Sequence, residues 1–155
     1  DIEAVGNFSI IEIEANQFAV ELLMPEPLFR PLLAGSVFDF TLMNSLANQF
    51  YVSKHACGNR ILDFIKEPYI LICSKGMSIT TIKYSSSAKR YWKVLKSIPV
   101  ESHAYRAIRD QQNQNQFFPS PASIWFGSSY ANNRVYECTK GDYKHDVSMT
   151  ILKIE

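Results

Sequence analysis

Histidine, cysteine and carboxylate are the residues of this chain whose types and spacing could do chemistry, and most of them are scattered. His55 is followed by Ala-Cys-Gly-Asn, His103 by Ala-Tyr-Arg-Ala and His145 by Asp-Val-Ser-Met, so the 155 residues contain no HExxH pair of zinc-binding histidines. Cys57, Cys73 and Cys138 are far apart and form no CxxC pair, which suggests neither a zinc knuckle nor a disulfide framework and predicts reduced, mostly buried thiols. No Gly-rich phosphate loop, nucleophile elbow or paired-carboxylate spacing is present. What stands out is Glu12 and Asn16, one helical turn apart and interleaved with Ala15 and Ala19. From periodicity alone Glu12, three residues after Ser9, reads as the capping acid of a surface helix.

The element that must position them is a helix from Ile10 to Leu23, capped by Ser9 and ended by Met24-Pro25. Glu12, Ala15, Asn16, Ala19 and Leu23 share one face, and Ile11, Phe18 and Leu22 line a neighbouring one. Glu14, the competing carboxylate, falls on a polar stripe with Gln17 and Glu21. Two apolar faces require two sets of neighbours. A Pro-rich connection, Pro25 to Pro31, leads to a helix over Thr41 to Phe50 with Leu42, Leu46 and Phe50 in register. Ser53 then caps a third helix to about Ile65, with Cys57, Ile61 and Phe64 or Ile65 at helical spacing. Pro68 breaks this register. Strand periodicity follows at Tyr69 to Cys73 and Ser78 to Tyr84 around a Gly76 turn, and again at Ala122 to Phe126, Arg134 to Thr139 and Val147 to Ile154. Between them, helices are predicted at Ala88 to Ile98 and Ser102 to Asp110, and Gln111 to Gln116 reads as a surface loop. The fold class is α+β: residues 1–66 helical, residues 67–155 an antiparallel sheet domain.

The string Ile11-Glu12-Ile13-Glu14-Ala15-Asn16-Gln17-Phe18-Ala19-Val20-Glu21-Leu22-Leu23-Met24-Pro25 resembles the ExxANxFAxxLLMP segment of the ImmA/IrrE family of zinc metallopeptidases. The resemblance implies that the first helices are part of a zincin-like domain and that Glu12 is the third protein ligand of a zinc ion, with Asn16 steadying the site. In the family an upstream HExxH helix supplies two histidines and a general base, leaving a fourth position for water. This chain departs from the pattern in lacking that motif. It is therefore expected to be the C-terminal portion of such an enzyme, inactive alone and with no catalytic residue of its own. The chain also begins at Asp1, already close to a strongly apolar helical pattern, and an upstream segment is expected. The resemblance continues through Leu46-Ala47-Asn48-Gln49-Phe50-Tyr51-Val52-Ser53 and Asn59-Arg60-Ile61-Leu62, similar to a helix-turn-helix with Tyr51 where a glycine is usual. The parent's implied substrate is a protein such as a helix-turn-helix repressor, whose cleavage switches on stress-response or mobile-element genes.

Residues 67–155 resemble the GAF-like sensor domain of longer family members, with Trp125, Phe126, Tyr136 and Tyr143 available either as a core or as the lining of a ligand pocket. The charge balance, 16 basic against 15 acidic side chains and a net +1, argues against a domain built to grip phosphate backbones. Lys54, His55, Asn59 and Arg60 on the third helix, and the Lys89, Arg90, Lys93 and Lys96 cluster beside Tyr91 and Trp92, read as solvated faces, so direct DNA binding is not expected. No apolar run spans a bilayer and no signal peptide is seen, which predicts a cytoplasmic location. From a different class comes the alternative of a non-catalytic regulatory module that binds a ligand or partner through the sheet domain.

Overall fold

The computed structural model of the chain describes residues 14–91 and 95–155. It is an α+β protein, helical in its first part and ending in a five-stranded antiparallel sheet. The chain divides into two compact units after Ile61, within a helix.

The first unit opens with α1, residues 14–23; the expected start of this helix, with Ser9 and Glu12, lies outside the described residues. The expected loop from Pro25 to Pro31 is instead helical. α2 spans Glu26–Phe29 and a 3₁₀ turn spans Arg30–Leu33, each with a proline in its first turn. A proline costs nothing there, because its missing N–H has no intrahelical acceptor anyway. α3, Phe40–Gln49, is capped by Asp39, whose carboxylate accepts the Leu42 N–H at 2.8 Å. Its buried seam is Met43, Leu46 and Ala47 rather than Leu42, Leu46 and Phe50. Phe50 is half-buried and packs its ring against Phe29 at 5.2 Å.

α3 ends in a Schellman turn: the Val52 N–H reaches the Ala47 carbonyl at 3.0 Å and the Tyr51 N–H reaches Asn48 at 3.3 Å. Such a turn needs a left-handed residue, and Tyr51 takes it at φ 54°, the place for which glycine is better suited. α4, Lys54–Phe64, follows, with the Ser53 hydroxyl accepting the Ala56 N–H at 3.1 Å as expected.

In the second unit β1 (Tyr69–Lys75) and β2 (Ser78–Tyr84) form the predicted hairpin. α5, His103–Arg109, is capped by Ser102. β3 (Phe118–Pro121) is the edge strand of a sheet ordered β2-β1-β5-β4-β3, with β4 at Arg134–Asp142 and β5 at Val147–Ile154. Two expectations fail here. Ala122 to Phe126 is not a strand; its last four residues form α6, Ser123–Phe126, which lays Trp125 into the core. Among the described residues of 88–98 no α-helix forms either, and residues 92–94 lie outside them. A 3₁₀ turn covers Ser86–Tyr91, and the chain then borders β2, where Ile79 donates to Lys96 at 3.0 Å and Ile98 to Met77 at 2.9 Å.

One sheet face carries Ile70, Ile72, Val135, Leu152 and Ile154 beneath Trp125, Phe126, Tyr91, Ala104 and Ile108. Farther along the same face the side chains become polar but stay buried, with Thr139 bonded to Thr150 at 2.9 Å and Ser74 to Ser148 at 2.7 Å. Hydroxyls paired in this way avoid most of the cost of burial. Glu137, fully buried, accepts the Ala104 N–H at 2.9 Å and so fixes the start of α5 on β4. The Gln111 to Gln116 tract is exposed for the most part, yet it is no free loop. Gln114 exchanges hydrogen bonds with Thr139, giving its N–H to the Thr139 carbonyl at 2.9 Å and accepting the Thr139 N–H on its side-chain oxygen at 2.8 Å.

Candidate functional site

The candidate site is the α1 helix. Glu12, the expected metal ligand, lies outside the described residues, whereas Asn16 lies on an exposed turn with Ala15 and Ala19 exposed beside it. Glu14 is exposed as well. The expected second set of neighbours for this helix is not found among the described residues: Phe18 is 70% and Leu22 67% exposed, and Leu23 is also open. An amphipathic helix normally hides such a stripe, because each large apolar side chain contributes ~1.5–3 kcal/mol when fully buried.

Among the described residues, the ties of α1 are at its C-terminal end. Met24 is buried, and its carbonyl accepts two hydrogen bonds from Arg60 of α4, from Nε at 3.1 Å and from Nη2 at 3.0 Å. Nη2 also donates to Glu21 Oε1 at 2.8 Å. Arg60 is 6% exposed, so it is not offered to DNA as part of a reading face. The sequence does hold a signal for this role, since Arg60 falls one turn from Cys57 and Phe64 on the apolar side of α4. Cys57 itself is buried, and burial pushes its thiol pKa up to about 12, making it a packing residue rather than a nucleophile.

The other candidates do not converge. His55 is exposed and lies 3.3 Å from Asn59, His103 stacks on Phe118 at 5.1 Å, and His145 bonds Asp142 at 2.7 Å. Among the described residues no group of three His, Cys, Asp or Glu side chains could hold a metal ion. The described residues therefore do not by themselves fit zinc. Trp125 and Phe126 belong to the core of the second unit, and the half-buried Tyr143 packs against it. Tyr136, flanked on β4 by Val135 and Glu137, points to the opposite sheet face, so the four aromatics do not line one pocket. Lys89 lies in the 3₁₀ turn Ser86–Tyr91 and Lys96 in the non-helical stretch beside β2, and Lys93 lies outside the described residues. Among the described residues no helix is long and apolar enough to cross a membrane.

A helical unit whose first helix presents small residues and an amide, joined to an antiparallel sheet, is the architecture on which the comparison with known families bears. Residues 8–62 match the family described as the IrrE N-terminal-like domain, Peptidase_M78. Through that segment, which includes Glu12 and Asn16 and covers about a third of the chain, the protein is similar to the ImmA/IrrE metallopeptidase family. No curated protein matches the chain.

Proposed function

We propose that this chain supplies the third-ligand helix of an ImmA/IrrE-type zinc metallopeptidase, with Glu12 as the ligand and Asn16 holding that carboxylate in place. The HExxH histidines and their general-base glutamate belong to a segment outside these 155 residues, so the chain alone is inactive. The observation that carries this reading is the uncovered side of α1. Phe18, Leu22 and Leu23 stand open along this helix, and Ala15 and Ala19 are small enough to admit a facing helix closely. Zinc, when bound, would supply Lewis-acid activation at the peptide carbonyl.

The substrate class is a cytoplasmic protein, a helix-turn-helix repressor in keeping with the family, whose cleavage would release a stress response or mobile-element genes. The test is to read the coding DNA upstream of Asp1 for an in-frame HExxH within roughly 20 to 60 codons, the span in which a short helical hairpin brings two helices face to face. With that segment present, the whole protein should cleave its repressor and lose this activity in Glu12→Gln. A reading frame without the motif, or full cleavage by Glu12→Gln, contradicts the proposal.

A further inference from the structure

α1 leaves its unit as a cantilever. Along residues 14–23 Val20 alone is even half-buried, and the buried residue that follows, Met24, is where Arg60 takes hold. The guanidinium meets the Met24 carbonyl through two nitrogens and the Glu21 carboxylate through one of them. A planar fork on a carbonyl fixes direction as well as distance, which a point charge such as lysine cannot do. The cation also stands at the negative end of the α1 dipole. Arg60 is in turn held from behind, since its neighbours Cys57 and Ile61 on α4 are fully buried.

We propose that Arg60 is the positioning residue of the site helix: it sets the direction in which α1 projects, and with it where Asn16 stands. What this positioning serves rests on the reading of α1 as the zinc-ligand helix; the tether itself does not. The experiment is amide hydrogen exchange on the whole chain for the wild type, Arg60→Met, Arg60→Lys and Glu21→Gln. Arg60→Met should raise exchange along residues 14–23 by about tenfold or more while the amides of β1, β4 and β5 stay as they were. Arg60→Lys should recover part of the protection, since lysine keeps the charge without the fork. Glu21→Gln should change it least, because both bonds to Met24 remain.

Exchange along α1 that is unchanged in Arg60→Met overturns the inference. So does a uniform rise through α3 and the sheet, which is what a merely structural arginine would give. If Arg60→Met does not fold, the order Arg60→Lys above Glu21→Gln above wild type in α1 exchange carries the same decision, and equal exchange in all three overturns it. Zinc content is a separate readout, so failure of the tether and failure of the zinc reading are distinguishable.

Discussion

Phe18 and Trp125 are both large aromatic residues on helices, and the two units of the chain treat them in opposite ways. Trp125 on α6 is fully buried over Val135, Leu152 and Ile154, and the unit around it closes its core with its own residues. Phe18 on α1 is 70% exposed, with Leu22 and Leu23 open beside it. The core around Trp125 is thus closed by residues of its own unit, whereas the first unit carries a helix designed, by its composition, for a neighbour it does not have among the described residues. Function is sought at the open helix because a satisfied core asks for no partner, while an uncovered apolar stripe does.

The largest expected effect sharpens the contrast from the closed side. Trp125→Ala should cost ~3–5 kcal/mol in a urea titration, the loss expected for a buried aromatic that leaves a cavity. A loss within the range of surface substitutions would mean that the second unit is not the tightly closed body described. Next comes a gain. Tyr51 is 95% exposed and holds a left-handed conformation that disfavours any side chain, so Tyr51→Gly should stabilise the chain by ~1 kcal/mol. A destabilised variant would show that the Tyr51 ring has a contact of its own. From the open side, Phe18→Ser should change stability by less than ~0.5 kcal/mol, as surface substitutions do. If it costs as much as a core truncation, the stripe is covered in solution and the comparison breaks.

The smallest effect is set by acid. The hydrogen bond from His145 holds the Asp142 carboxyl below the usual aspartate range. A carboxyl depressed in the folded state contributes stability above its unfolded pKa, and that contribution is lost as pH falls through the folded value. Asp142→Asn should therefore show a slightly flatter fall in stability below about pH 4, the ordinary range of an aspartate. Identical acid transitions in the two proteins would remove this pair from the account.

Much of this was legible in the sequence where local signals agree with tertiary packing. Ser53 and Ser102 announce their helices, the alternation of Val147 to Ile154 defines β5 to the residue, and the LLMP ending closes α1. Other parts were hidden because a local pattern serves two structures. Ala122 to Phe126 is apolar enough for a buried strand, but Pro119 and Pro121 are compatible with an edge, so the strand falls one step earlier and Trp125 drops into the core from a helical turn. The prolines between Pro25 and Pro31 suggest a loop, yet in first-turn positions they start helices. Arg60 was the residue of the candidate site most easily misjudged. A cation on a helix reads as solvent-facing until its place one turn from Cys57 is weighed, and only the fold shows that its partner is a carbonyl 36 residues away.

The similarity to the IrrE N-terminal-like domain covers residues 8–62, and the proposal built on it is that Glu12 binds zinc. The direct measurement is the zinc content of the protein purified as its gene encodes it, compared with the same protein carrying Glu12→Gln. About one zinc per chain in the wild type, and a loss of most of it in the variant, is the predicted result for a three-ligand site deprived of its carboxylate. Zinc held equally by both proteins, or by neither, would contradict the assignment of α1 as a ligand helix.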